Sequence, residues 1–206
     1  MRVAAFQSVM APLVGPALRD LAAASPAVQP AVTERYGPAA LADLRLGDLD
    51  IVLTEYDAAS PPHAEPGLGL RQLAFDPYVL VIPQDWPARP RSLGDLAGRP
   101  WVAGPPGTAC DHALRRLAAE AAIEIRAADV CVEFPSVLAL VAAGRGAAVI
   151  PRLALGRAPV TVCALPPLGG RNIAAWHQEG RAQPGPATVT VLDALAHAAQ
   201  ARGQAS

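Results

Sequence analysis

The first 56 residues switch between two hydrophobic periods, and this alternation limits the fold more than any other feature of the chain. Residues 2–6 read as a short strand. Residues 8–24 then carry Val9, Leu13, Leu18 and Leu21 at roughly helical spacing. Pro12 fits the first turn of that helix, Pro16 predicts a kink, and Ser25-Pro26 ends it. Residues 27–36 read as a second strand. Gly37-Pro38 opens a short helix that Gly47 closes, and residues 48–56 form a third strand. A strand-helix-strand-helix-strand order implies parallel strands joined by right-handed crossovers.

The same pattern returns later. A Pro-rich stretch at 57–67 leads to two strands, 68–75 and 78–87, joined by Asp76-Pro77. Ser92 is a plausible cap for a short helix at 92–98. A strand at 101–104 runs into a glycine loop and a helix through 122. A strand at 127–132 precedes a helix that Pro135 starts, and a strand follows at 145–151. Strands near 159–164 and 171–177 and an Ala-rich helix at about 187–202 complete the chain. The fold class expected is α/β, as two Rossmann-like lobes joined by two crossover strands near 76–78 and 150–157. Lobe I would hold 1–76 and 152–206, and lobe II 77–151.

Composition narrows the function. The chain has 206 residues, 52 % apolar, with a net charge of -1. No basic excess is available for nucleic acid. All 17 basic residues are arginine, which excludes a Schiff-base lysine and a phosphate-loop lysine. The cysteines, Cys110, Cys131 and Cys163, lie far apart and are odd in number, which suits buried thiols in a reducing cytosol. His63, His112, His177 and His197 show no metal-ligand spacing, and no nucleophile or nucleotide motif occurs. No catalytic residue, metal or cofactor is expected. No run approaches the roughly 18 apolar residues of a membrane span, and no signal peptide is visible. Trp86, Trp101 and Trp176 read as core or edge anchors, and Asp48 and Asp50 as turn and strand-entry residues.

The ordered set of motifs resembles the effector-binding domain of LysR-type transcriptional regulators, which has the type-2 periplasmic-binding-protein fold. The match rests on RVAAFQSVMAPLVGPALRDLAAASPAV, on VTERYGPAALADLRLGDLDIVLT, on LAFDPYVLVIPQDWP, and on LGDLAGRPWV followed by PSVLALVAAGRGAAVIPRLAL. It covers essentially the whole chain. One departure is that nothing but Met1 precedes residue 2, so the family's N-terminal winged helix-turn-helix is absent from this chain. An excised domain or a naturally short relative is expected.

At the junction of the first strand and helix sit Gln7 and Ser8. Ligands of α/β units bind where strands end and helices begin, and a helix N-terminus favours a carboxylate by about 0.3–1 kcal/mol. Gln7, Ser8 and Val9 are therefore effector-binding candidates, as the resemblance also implies; Ser8 is equally readable as an N-cap. Gly107 and Thr108 form the matching junction of the other lobe, where Thr108 is again a cap or a ligand group. Two such junctions facing across a cleft would grip one ligand from both sides. The resemblance adds Thr54, Phe134 and Ser136 at the cleft edge. Arg145 stands where the family often has an apolar residue between two glycines. It can pair with an anionic effector or serve as a surface or interlobe salt-bridge residue. The function implied is cytoplasmic sensing of a small polar or carboxylate effector by a homodimeric domain, with DNA bound only through the missing segment. A transporter's solute-binding protein and a two-lobed enzyme such as a dehydratase are the alternatives.

Overall fold

The computed structural model describes residues 1–35, 37–179 and 184–203. Its contacts divide the chain into two units, one of residues 1–55, 62–75 and 172–206, the other of 56–61 and 76–171. The second return of the chain thus falls at Arg171–Asn172, where the sequence pattern placed it near 152. Strand pairing gives the reason. Val160–Cys163 pairs antiparallel with Leu80–Pro83, which keeps this stretch in the second unit.

In the first unit, β1 (Arg2–Ala5) lies between β2 (Ala31–Glu34) and β3 (Ile51–Asp57), parallel to both. Strands β9 (Gly170–Gln178) and β4 (Leu68–Pro83) extend this sheet beyond β3. Tyr36, the expected end of the second strand, lies outside the described residues. Helix α1 is not one kinked helix. It comprises Gln7–Val9, a widened π turn at Met10–Val14, and Gly15–Ala24. A proline ring clashes with the carbonyl four residues back. The wide turn closes through Gly15 N–H to Met10 O and puts Pro16 in the first turn of the next segment, where its missing N–H costs nothing. Helix α2 (Pro38–Leu46) ends at Gly47, whose φ of 79° is the left-handed cap a glycine adopts freely. Ala4, Leu44, Leu49, Val52, Leu68 and Trp176 pack as one core, and α1 lies against α5 (Pro186–Gly203).

The second unit has its own cores. The far half of β4 pairs antiparallel with β7 (Ala148–Pro151) on one side and β8 (Val160–Cys163) on the other. Strands β5 (Pro100–Ala103) and β6 (Arg126–Val130) form a parallel pair, bridged to β7's approach through Trp101 and Ala147. Trp101, Leu80, Ile82, Leu114 and Val149 fill one core. Val81, Val102, Val141 and Ile150 fill the other. Helices α3 (Ala109–Glu120) and α4 (Phe134–Ala142) cover them.

Asp76-Pro77 does not separate two strands, as the sequence suggested. β4 runs unbroken from Leu68 to Pro83. The residue before proline favours extended backbone in any case. Asp76 is anchored there by its own carboxylate, which accepts the Leu153 N–H at 3.0 Å and the Arg171 Nε–H at 2.9 Å. Among the described residues no helix is long and apolar enough to cross a membrane.

Candidate functional site

Each unit ends parallel strands at one edge and starts a helix there. In the first unit β1 gives way to α1 at Phe6. The N-cap is Phe6, not Ser8: Phe6 is extended, and no side chain caps the turn. Ser8 lies within the first turn, and its hydroxyl oxygen is buried without a hydrogen-bond partner among the described residues. A buried hydroxyl left unpaired costs about 1–3 kcal/mol. Gln7 beside it is half-buried, whereas the Val9 side chain is wholly buried and its N–H donates to Phe6 O at 3.2 Å. Thr54 follows on β3 two residues after Val52, the partner of Ala4. Thr54 Oγ1 accepts the Trp176 indole N–H at 3.0 Å, which leaves its own hydroxyl proton to donate. The junction therefore offers hydroxyls, an amide and first-turn N–H groups, with no charged side chain among Gln7, Ser8, Val9 and Thr54.

The second unit treats its junction differently. Thr108 is the N-cap of α3: its Oγ1 accepts the Asp111 N–H at 3.2 Å and donates to Pro105 O at 2.9 Å. Asp111, itself buried, turns its carboxylate back to the loop and accepts the Gly107 N–H at 2.9 Å. Its other oxygen accepts from Arg115 Nε at 2.9 Å. The positive end of α3 thus already holds a carboxylate from its own chain, which takes the Gly107 N–H. The cap reading of Thr108 thus holds, while the part of Asp111, visible in the Thr-x-x-Asp spacing, was missed.

Strand β6 ends beside β5, with Ala103 opposite Val130 and Cys131 N–H donating to Ala103 O. The loops carrying Thr108 and Phe134 therefore leave the same edge. Phe134 opens α4, half-buried against both cores of the unit, with Pro135 next to it. Ser136 is exposed, and its N–H donates to Glu133 O at 3.0 Å. Arg145 is taken by a salt bridge. Its Nε and Nη2 reach the two oxygens of Asp129 at 2.9 and 3.2 Å, and these hydrogen bonds raise its pKa further.

Sequence reasoning also missed a buried ion pair. Arg171 and Asp76 are both fully buried; Arg171 Nε and Nη2 lie 2.9 and 2.8 Å from one Asp76 oxygen. Burial pushes the Asp76 carboxyl above its ordinary value, against the attraction of Arg171 and the Leu153 N–H. The partners lie 95 and 77 residues away in sequence, so no local pattern announces them. Among the described residues no group of three or more His, Cys, Asp or Glu side chains could hold a metal ion.

A family model for the LysR substrate binding domain matches residues 1–200. The chain belongs to that family. It is the effector-binding domain type of LysR regulators, in a mixed α/β fold of the type-2 periplasmic-binding kind. A sequence search of curated proteins finds no match. Solved structures share the fold at low identity. The effector-binding domain of QuiR in complex with shikimate superposes with a TM-score of 0.79 at 16 % identity, covering 98 % of this chain and 97 % of that one. The BenM effector-binding domain with its effector benzoate gives 0.79 at 14 %, covering 98 % and 93 %. CbnR, a LysR family transcriptional regulator, gives 0.76 at 18 %, covering 97 % of this chain and 69 % of its own.

Proposed function

We propose that this LysR domain senses a small polar effector and that the strand-end turn of its first unit, Gln7 to Val9 with Thr54, is one place where the effector is held. The observation that carries the reading is the Ser8 hydroxyl: buried, unpaired, and set at the strand-helix junction where α/β units receive ligands. A carboxylate on the effector suits this turn, whose residues Gln7, Ser8, Val9 and Thr54 carry donors and no negative charge. It suits the Thr108 turn less, where the Asp111 carboxylate already takes the Gly107 N–H and adds a negative charge. In the second unit the contacts proposed are Phe134 and Ser136 at the opening of α4, with Gly107 and Thr108 contributing through their loop. Arg145, engaged by Asp129, is left out of the set.

The domain acts by differential affinity: a ligand that binds one conformation better shifts the population toward it. In a longer regulator that shift would pass through a homodimer of this domain to a DNA-binding segment, in the cytoplasm, without catalysis or cofactor. The test is a thermal-shift screen with benzoate, shikimate and other small carboxylates and polyols, followed by titration of each hit against Ser8→Ala. A hit is expected to lose about tenfold or more in affinity, the equivalent of one lost hydrogen bond of roughly 1.4 kcal/mol. A hit whose affinity is the same in Ser8→Ala would overturn the site.

A further inference from the structure

The longer of the second unit's two segments begins, along β4, with Asp76 and ends, along β9, with Arg171. These two residues make its fully buried ion pair. The other Asp76 oxygen holds the N–H of Leu153, in the turn that follows β7. The Arg171 guanidinium also lies over the ring of Phe134, 5.7 Å from its centroid, within cation–π range. One side chain therefore touches the carboxylate that opens this segment and the aromatic ring that opens α4.

We propose that Arg171 is the positioning residue for Phe134, fixing the ring against the two ends of the second unit's 76–171 segment. This rests on the reading of Phe134 as an effector contact. Displacement of the ring by a ligand then has to disturb Arg171, and through it Asp76 and the backbone at 75–76 and 171–172. Geometry makes the link stiff. The guanidinium is planar, its Nε donates to Asp76 while Nη2 lies against the same oxygen, and both side chains are fully buried. A lysine there would keep the charge and lose the plane that covers the ring.

The test uses the ligand-free chain labelled with fluorophenylalanine. The sequence has three phenylalanines, so the spectrum has three resonances, and Phe134→Leu identifies the one that matters. Asp76→Asn keeps an oxygen for Leu153 and does not alter the ring, yet it is expected to shift the Phe134 resonance while Phe6 stays in place. In an Arg171→Met background, adding Asp76→Asn is expected to move the Phe134 resonance no further. A Phe134 resonance indifferent to Asp76→Asn, or a shift that persists without Arg171, would overturn the proposal. Should Asp76→Asn fail to fold, Arg171→Lys carries the comparison: the ring resonance moves with the lysine, and an unmoved resonance has the same refuting force. The effector reading fails separately, in the Ser8 titrations, because no ligand enters this experiment.

Discussion

Removing three hydroxyls one at a time should change stability in opposite directions. Ser8→Ala deletes a hydroxyl that is buried and unpaired. Leaving such a group unsatisfied costs about 1–3 kcal/mol, and alanine is the better helix residue by up to about 0.5 kcal/mol. Only part of the first figure is recovered, because the Ser8 residue as a whole is half-buried. We expect the ligand-free variant to gain about 1 kcal/mol, or roughly 2–4 °C in Tm for a chain of this size. Thr54→Val keeps the shape but strands the buried Trp176 indole N–H, so a loss of about 1–2 kcal/mol is expected. Thr108→Ala removes a helix cap, a loss of about 1 kcal/mol. Urea titrations at constant m-value measure all three. The reasoning is refuted if Ser8→Ala is destabilising, because the hydroxyl must then have a partner in the folded protein and is not held in reserve for a ligand.

Two further outcomes follow from packing and burial. A Cβ on Gly146 would stand 2.5 Å from Pro100 O and 2.9 Å from Trp101 N, both backbone atoms of β5. Gly146→Ala should therefore force β5 from β7, weaken the Val102–Ala147 and Ala147–Pro100 hydrogen bonds, and cost about 2–4 kcal/mol by the same denaturation assay. Iodoacetamide at neutral pH, followed by peptide mass spectrometry, should modify Cys131 well before Cys110 and Cys163. The latter two are buried, and burial pushes the Cys163 thiol up and away from the reactive thiolate; equal labelling of all three would contradict the packing.

Where the sequence was legible, the reason is local periodicity. The parallel strands β1, β2 and β3, α2 with its closing Gly47, and the Thr108 cap are each specified within one turn or one strand of residues. The misreadings have a common cause too. Asp76-Pro77 reads as a break because proline withdraws a donor, and nothing nearby reveals that Leu153 and Arg171 hold the aspartate in an extended strand. Pro16 reads as a kink because the alternative, a widened turn at Met10–Val14, has no composition of its own. Arg145 reads equally as an anion ligand or a salt-bridge residue, and Asp129, 16 residues earlier, decides for the salt bridge by accepting from its guanidinium.

The two strand-helix junctions show why a binding turn is harder to read than a fold. Both carry a hydroxyl residue near the helix start, and both look alike as sequence. In one, Thr108 has a donor and an acceptor in place, and Asp111 supplies the negative charge that the helix end favours. That junction is complete when the chain folds, so a ligand gains little there beyond shape. In the other, Ser8 has neither among the described residues, and nothing acidic stands in the first turn of α1. Folding leaves that turn short of one partner. A group that arrives from outside and accepts or donates one hydrogen bond recovers a desolvation cost the protein has already incurred, which makes the bond worth more than one formed on an exposed surface. The distinction lies in whether partners exist, not in residue type: Asp111 stands three positions after the Thr108 cap, while Val9, three positions after the Phe6 cap, is apolar and wholly buried. Gln7→Glu, at the half-buried first position of α1, should therefore supply an internal carboxylate to the turn that holds Ser8. Carboxylate hits should then lose affinity while neutral polyol hits change little, and equal losses for both classes would show that charge is not what this turn selects.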